Sequence, residues 1–570
     1  MQARAAINAE AVGNVTRRLV ARVVRFAPVR AVRSTRIAGR VRSSIRWRSV
    51  HARWLKQHPE LLFHRGSVMY PLAGRLPKEV ADANADMVLG VLDEIGIPYT
   101  EVRNTNLVRR TIAVSTKHRE QLLDAFRTLL GSSAVYISAL LEYQPKDRQD
   151  AAALPSGRLG RERRPISAPN GVIASAAVVR IWKFYLDPVS SFVLSQAYGC
   201  EVEFWNHSDR DDSRWIAPRA NVAGEVFSSA DVSLIPRKRH IVDAPSSVFD
   251  LRMIDDVNFP IDVVYTWVDS SDTAWRRKLE AYSGNAVPED FHEEASGDQR
   301  FRSRHELKYS LRSLSMYAPW VRHVYIVTDE QVPEFIDFDH EAITLVDHRE
   351  IATIPEALPV FNSSAIISWL HRIPGLNEHF IYMNDDVFMG RDVSPAHFYT
   401  ASGLAKVFPS TNRRPFGKPD PRDEPHINIT RNIRALLEKE FGRSISRSVK
   451  HTPHAQLVSV QQEMEKRFAE AYDRTSRSRF RHHNDIAADQ LFHYYAQITG
   501  RAIVGNIRYA YINIGDRRKE KELERLLESR GRDVFCLNDA PQHNARAMTD
   551  STVRGFLDAY FPVPSAWERT

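Results

Sequence analysis

Asn384-Asp385-Asp386 closes an apolar run, Phe380-Ile381-Tyr382-Met383, within the stretch HFIYMNDDVFMG of residues 379–390. The pattern is a buried strand that opens into two adjacent carboxylates. Such a pair repels itself and is costly to hold ionised unless a cation sits between it and something anionic. Ligands of open α/β sheets bind at the carboxyl ends of strands. The chemistry to expect is therefore a divalent metal that holds a phosphate or a nucleotide. Asn and Asp also favour turns, so an acidic strand-to-loop turn accounts for the same letters without function.

A site of this kind needs a sheet behind it. Ile261 to Val268 is a β-branched run of buried-strand type that stops at Asp269-Ser270-Ser271-Asp272. Glu306 to Tyr317 reads as a helix with Leu307, Leu311 and Leu314 on one face. Val324 to Val327 and Ile343 to Val346 read as strands ending at Asp329 and Asp347, and Ser364 to His371 as a helix. Strands that alternate with helices mean a mostly parallel sheet, and each of these four strands ends in a carboxylate. Further on, Thr452-Pro453 reads as the N-cap and first residue of a helix from Ala455 to Tyr472, with His451 and His454 at its anion-favouring start. The cluster from Arg479 to Asp485 precedes a second helix, Ile486 to Ile498. The C-terminal portion reads as helical.

Upstream, residues 57–205 read as a small α+β domain. Its helices are Pro77 to Ile95, stopped by Gly96, and Lys117 to Leu130; its strands lie at 99–102, 111–114 and 135–137. Residues 206–259 are polar and irregular and read as a connector, which leaves 260–570 as the catalytic domain. Residues 1–56 carry 14 Lys or Arg against the single acid Glu10, so this leader is +13 and the other 514 residues sum to about −4. A mildly acidic body argues against nucleic acid as a partner. The leader interleaves Arg with Val, Ile, Phe and Trp, a mixture that can lie on an anionic membrane surface; a disordered arm is the plain alternative. No apolar run approaches the roughly 20 residues that span a bilayer. Two distant cysteines, Cys200 and Cys536, suggest no disulfide framework and fit a reducing cytoplasm, with the leader at the inner face of the plasma membrane.

Four blocks in order give the chain a likeness. They are IDVVYTWVDSSD at 261–272; RFRSRHELKYSLRSLSMYAPWVRHVYIVTD at 300–329, continuing to HFIYMNDDVFMG; HTPHAQ at 451–456 with RFRHHNDIAADQLFHYY at 479–495; and FCLNDA at 535–540 with FLDAYFPVPSAWE at 556–568. Together they resemble the Stealth family of sugar-phosphate transferases. That family includes bacterial capsular and exopolysaccharide phosphotransferases and the animal N-acetylglucosamine-1-phosphotransferase. The chain departs from the family pattern at Ser270, where Gly is usual, at Ile367, where Glu is frequent, and at Arg304-His305, where relatives often carry Asn-Glu.

The resemblance implies an α/β, Rossmann-like or GT-A-like catalytic domain with helical C-terminal additions. It implies transfer of a hexose-1-phosphate from a nucleotide-sugar donor to a hydroxyl of a polysaccharide or lipid-linked glycan acceptor, with release of a nucleoside monophosphate. Carried onto this sequence, Asp385 and Asp386 would hold Mg2+ or Mn2+. Asp269 and Asp272 would line the same edge, and Arg302 and Arg481 would stabilise phosphate charge. His482 would be the general base with His454 as the alternative, and Asn384 would orient the carboxylates. Glu306 and Asp485 complete the donor-binding set. Asp272 and Asp485 have a second reading as helix N-caps and Arg302 as a partner of Glu306, while Trp267 and Trp369 read as core rather than as sugar-stacking platforms. A metal-dependent glycosyltransferase releasing a nucleoside diphosphate, and a non-catalytic membrane scaffold, are the competing readings.

Overall fold

The computed structural model describes residues 49–103, 108–140, 164–167, 171–208, 211–232, 247–283, 304–540 and 546–569. The chain forms two compact units, Met1–Arg252 and Met253–Thr570. Most of the basic leader, and Arg302 with it, lies outside the described residues. The leader's last residues are not an arm: residues 49–57 are helical and Trp54 is fully buried.

In the first unit the helices Pro77–Glu94 and Arg119–Leu130 lie on a mixed sheet. Their apolar faces, among them Val88, Leu92, Leu122 and Phe126, form one core with Ile112 and Val202 of the sheet. Gly96 ends the first helix at φ +67°, a backbone that favours glycine. The stretch read as a connector is part of this sheet. Cys200–Ser208 pairs with Asp211–Asn221, which pairs with Gly224–Ser228. Trp205, Trp215 and Phe227 are the apolar layer that the polar composition of the region concealed.

In the second unit a five-stranded sheet runs Ile343–Asp347, His323–Thr328, Asp262–Thr266, His379–Asn384 and His454–Leu457. The first four are parallel, and the fifth is antiparallel to His379–Asn384. The four expected strands therefore share one carboxyl edge. The helix expected from Ala455 begins later. His454–Leu457 is a strand, followed by the helices Val458–Arg467 and Ala469–Arg477, because Ala455, Gln456 and Leu457 complete the sheet beside the buried Phe380 and Ile381. The C-terminal portion is also not purely helical. Tyr509–Asn513 and Val534–Asn538 are parallel strands, and the latter pairs with Val387–Met389, just past the acidic pair.

Asp262 pins the opposite edge. It is fully buried at the start of the central strand, where Arg322 grips it with two bonds of 2.7 and 2.5 Å and the backbone N–H of Asn377 adds a third at 2.8 Å. One carboxylate thus registers three neighbouring strands. Removing one partner of a buried pair strands the other charge. We expect Arg322→Ala to cost about 2–3 kcal/mol, at the lower end because Arg322 is half-exposed. Urea unfolding with an unchanged m value is the check; a loss within error would mean that Asn377 alone suffices.

Candidate active site

Three carboxylates meet at the carboxyl edge. Asp385 and Asp386 follow the His379–Asn384 strand, and Glu306 is the first residue of the Glu306–Tyr317 helix. Small hydroxyls fix that helix against the strand after the acidic pair: Ser310 Oγ donates to the Val387 carbonyl at 2.6 Å, and the Met389 N–H donates to Ser313 Oγ at 3.0 Å. The Asp385 carboxyl is pushed well above the usual carboxylate range, first by burial, then by the charges of Glu306 and Asp386. Glu306 is raised too. Burial leads, the backbone N–H of Arg304 opposes it at 2.5 Å, and Asp386 adds to the rise. The Arg304 guanidinium, 3.6 Å from Glu306, is buried between Asp539 at 2.7 Å and Asp550 at 2.8 Å, so its charge is shared among three acids.

Asp386 faces different company. Its Oδ1 is buried and takes no hydrogen bond, with His451 Nε2 3.2 Å away; its Oδ2 lies 3.4 Å from Cys536 Sγ. Burial alone would lower the His451 imidazole, but the charge of Asp386 outweighs it and the net direction is upward. Burial pushes the Cys536 thiol up, and Asp386 pushes it further. Asn384 bridges the group: Tyr382 Oη donates to its Oδ1 at 2.6 Å, and its Nδ2 lies 2.7 Å from His451 Nε2. The donor set fits a divalent ion. Carboxylates that raise one another gain most from a cation, and an orphaned carboxylate oxygen is there to receive it.

A second group stands on the segment after the Ile343–Asp347 strand. Arg481 donates to Ser363 Oγ at 2.9 Å. Asp485, fully buried, accepts from the His482 N–H at 2.7 Å and from Asn362 Nδ2 at 2.8 Å. Asn362 in turn caps the Ser363–Ile367 helix. Asp485 is therefore not the N-cap of the Ala488–Ile498 helix but the brace of the Arg481–His482 turn, and burial raises its carboxyl to about 6. The His482 ring is half-buried and lowered, first by burial and then by His483. Its Nδ1 accepts from the Asn484 N–H at 3.2 Å, so the neutral ring carries its proton on Nε2. In that tautomer Nε2 is a hydrogen-bond donor, whereas the expected role was that of general base. His454 is held on both sides, by Asp489 at 2.8 Å and the Lys450 carbonyl at 3.1 Å. It sits in a strand and not at a helix start.

The other strand ends are occupied locally. Asp269 Oδ1 accepts from the Ser271 N–H at 2.8 Å, and Asp272 caps the Thr273–Ser283 helix through the Ala274 N–H at 2.8 Å. Buried Gln331 ties both turns together. Asp329 pairs with Lys278 and Asp347 with Arg349. The four-carboxylate edge therefore narrows to one acidic strand end plus Glu306. Trp267 and Trp369 are core, as expected. His451 and Cys536 are the residues that sequence reasoning left out of the site. Both lay inside quoted blocks, HTPHAQ and FCLNDA, but only the pairing of Val387 with Cys536 shows which of those residues reaches Asp386.

A parallel sheet with a carboxylate cluster at its carboxyl edge is the build of an α/β enzyme that handles phosphate or nucleotide. Comparison with known proteins gives the family. Conserved regions 1, 2, 3 and 4 of the Stealth proteins match residues 259–286, 300–407, 450–497 and 524–570. The exopolysaccharide phosphotransferase SCO6023 of Streptomyces coelicolor is 38% identical over 89% of this chain and 88% of its own. SCO2594 of the same organism, with the same description, is 36% identical over 91% and 90%. The exopolysaccharide phosphotransferase CpsY of Mycobacterium tuberculosis H37Rv is 31% identical over 90% and 93%. The chain belongs to the Stealth family and is a transferase. Among solved structures, the galactosyltransferase LgtC with donor and acceptor sugar analogs aligns over 52% of this chain and 95% of that one, at 10% identity and TM-score 0.27. The fold assignment rests on the strand order above, not on that likeness. No helix among the described residues is long and apolar enough to cross a membrane.

Glu306 offers a direct test of the acidic cluster. Because its charge is unfavourable where it stands, Glu306→Gln is expected to raise the Tm of the chelator-treated protein by a few degrees. The same change is expected to weaken the Tm gain from Mn2+. A variant that melts lower without metal and gains as much with it would show that the three carboxylates do not work together.

Proposed function

We propose that the protein transfers a hexose-1-phosphate from a nucleotide sugar to a glycan hydroxyl, forming a phosphodiester and releasing a nucleoside monophosphate. The observation that carries the reading is the meeting of Asp385, Asp386 and Glu306 at the carboxyl edge of a parallel sheet, where burial and mutual charge raise Asp385 and Glu306. The named activity of the relatives supports the reaction class. Asp385 and Asp386, with Glu306 behind them, would hold Mg2+ or Mn2+, which supplies charge neutralisation across the donor pyrophosphate. The acceptor hydroxyl oxygen bonds to the sugar-bearing phosphorus, the bond from that phosphorus to the bridging oxygen breaks, and the nucleoside monophosphate leaves with that oxygen, the hydroxyl proton passing to the departing phosphate or to water. Arg481 offers a planar fork to the phosphate. His482 offers its Nε2–H to the same charge. Phosphoryl transfer through a loose transition state asks for positioning and charge stabilisation more than for an early base, which suits a donor here. Association of the basic leader with anionic lipid belongs to the same proposal.

The released nucleotide decides the reaction. Full-length protein is incubated with nucleotide sugars, Mg2+ or Mn2+ and glycan acceptors. We expect a monophosphate, abolished by chelator and reduced in Asp385→Ala by more than the roughly 10–100-fold typical of outer-shell changes. A diphosphate lost in the same controls would mean glycosyl transfer.

The role of His482 separates by substitution. As a donor it is replaced in part by an amide N–H. His482→Gln is then expected to keep activity within about tenfold of wild type, while His482→Ala loses about 100-fold. Equal, deep losses in both would return the ring to the role of base.

A further inference from the structure

We propose that Asp386, His451 and Cys536 form a second cation site, thiolate-containing and suited to an ion of the zinc class, beside the all-oxygen set of Asp385 and Glu306. One carboxylate oxygen, one imidazole nitrogen and the thiol sulfur lie within 4.8 Å of one another. Two of the separations are 3.2 Å, from His451 Nε2 to Asp386 Oδ1, and 3.4 Å, from Cys536 Sγ to Asp386 Oδ2. Zinc bonds of about 2.0–2.3 Å in a tetrahedron set neighbouring donors roughly 3.3–3.8 Å apart. The two short separations run to different oxygens of one carboxylate, so the widest pair among the three donors would close by on the order of 1 Å to share an ion.

The tautomer agrees. Tyr382 Oη donates to Asn384 Oδ1, which fixes the amide so that Nδ2 donates toward His451 Nε2. Nε2 then carries its lone pair, which the amide N–H occupies and an ion would take over, beside a carboxylate oxygen that takes no hydrogen bond. Two acceptors so placed are joined by a cation. A sulfur and an imidazole discriminate against Mg2+, which prefers oxygen and water, and in favour of a borderline ion that also ionises the thiol. Three protein donors leave a fourth position for water or substrate, as at reactive zinc centres. The site also has a structural consequence: it would clasp the strand Val534–Asn538 to the acidic loop, where the Leu537 N–H already donates to the Asp386 carbonyl at 3.0 Å.

The inference shares Asp386 with the proposed donor site and rests on the reading that this edge binds cations. It does not depend on which bond the enzyme breaks. The test is optical and uses no nucleotide sugar. Chelator-stripped full-length protein is titrated with Co2+ alone. A thiolate-to-cobalt charge-transfer band in the near ultraviolet is expected to saturate at about one ion per chain, and to be displaced by Zn2+ but not by Mg2+. Cys536→Ser should abolish the band and His451→Gln should shift it. Cys200→Ser and Asp385→Asn should leave it in place. Cobalt bound without the band in wild type would overturn the proposal, as would a band that survives in folded Cys536→Ser. Loss of the band in Asp385→Asn would also overturn it, because the two sets would then be one site. Failure to release a monophosphate leaves this spectrum unchanged, so the two proposals fail separately.

Discussion

Repulsion among Asp385, Asp386 and Glu306 is the constraint around which the catalytic unit is organised. Three carboxylates at one sheet edge are unstable company, and much of the surrounding structure holds them there. Asp262 and Arg322 lock the far end of the sheet. Ser310 and Ser313 lock the helix that carries Glu306. Buried Arg304 spends its charge on Glu306 and on two acids from the C-terminal segment, so it limits the repulsion without cancelling it. A fully neutralised cluster would have little use for a cation. One left partly uncompensated is primed to bind it.

This division of labour explains why the site was only partly legible in the sequence. The sheet was readable because Val263, Val264, Ile326 and Ile381 lie in apolar, β-branched runs whose burial follows from composition, and each run ends in a polar turn. Those ends looked equivalent as letters. In three dimensions Asp272 caps a helix and Asp329 and Asp347 answer nearby cations, whereas Asp385 meets Glu306 and Asp386 meets His451 and Cys536. A carboxylate's local partner, two to fifty residues away, is what sequence spacing cannot weigh. The strand His454–Leu457 was misread for a related reason. Its helical periodicity continues into the helix that follows, and only the open edge beside Phe380 and Ile381 decides where pairing ends and helix begins.

The first unit shows the same limit in another form. Its polar stretch from residue 206 looked like a linker, yet it completes a sheet around a buried charge cluster. Burial alone would raise Glu201, but Arg219, Arg180 and Arg109 outweigh it and hold the carboxyl at about 2. Alternating charged and aromatic residues on paired strands read as disorder in one dimension. They read as a half-buried face once the partner strand is known.

The acidic pair also shows how two neighbours divide their roles. Asp385 is raised chiefly by burial and by Glu306, an oxygen environment that suits a hard ion on a phosphate. Asp386 meets an imidazole and a thiol, an environment that suits a softer ion. A turn is what makes this possible. Residues in a continuing strand would alternate across the sheet, whereas adjacent residues in a turn can present both carboxylates at one edge toward different partners. Asn384 stands before them as the hinge of the arrangement, its carbonyl taken by Tyr382 and its amide turned to His451. The Asn-Asp-Asp run is thus more than a doubled carboxylate. Asn384 and Asp386 share His451, Asp386 adds Cys536, and Asp385 between them faces Glu306, so the order of the three sets which partners each one meets.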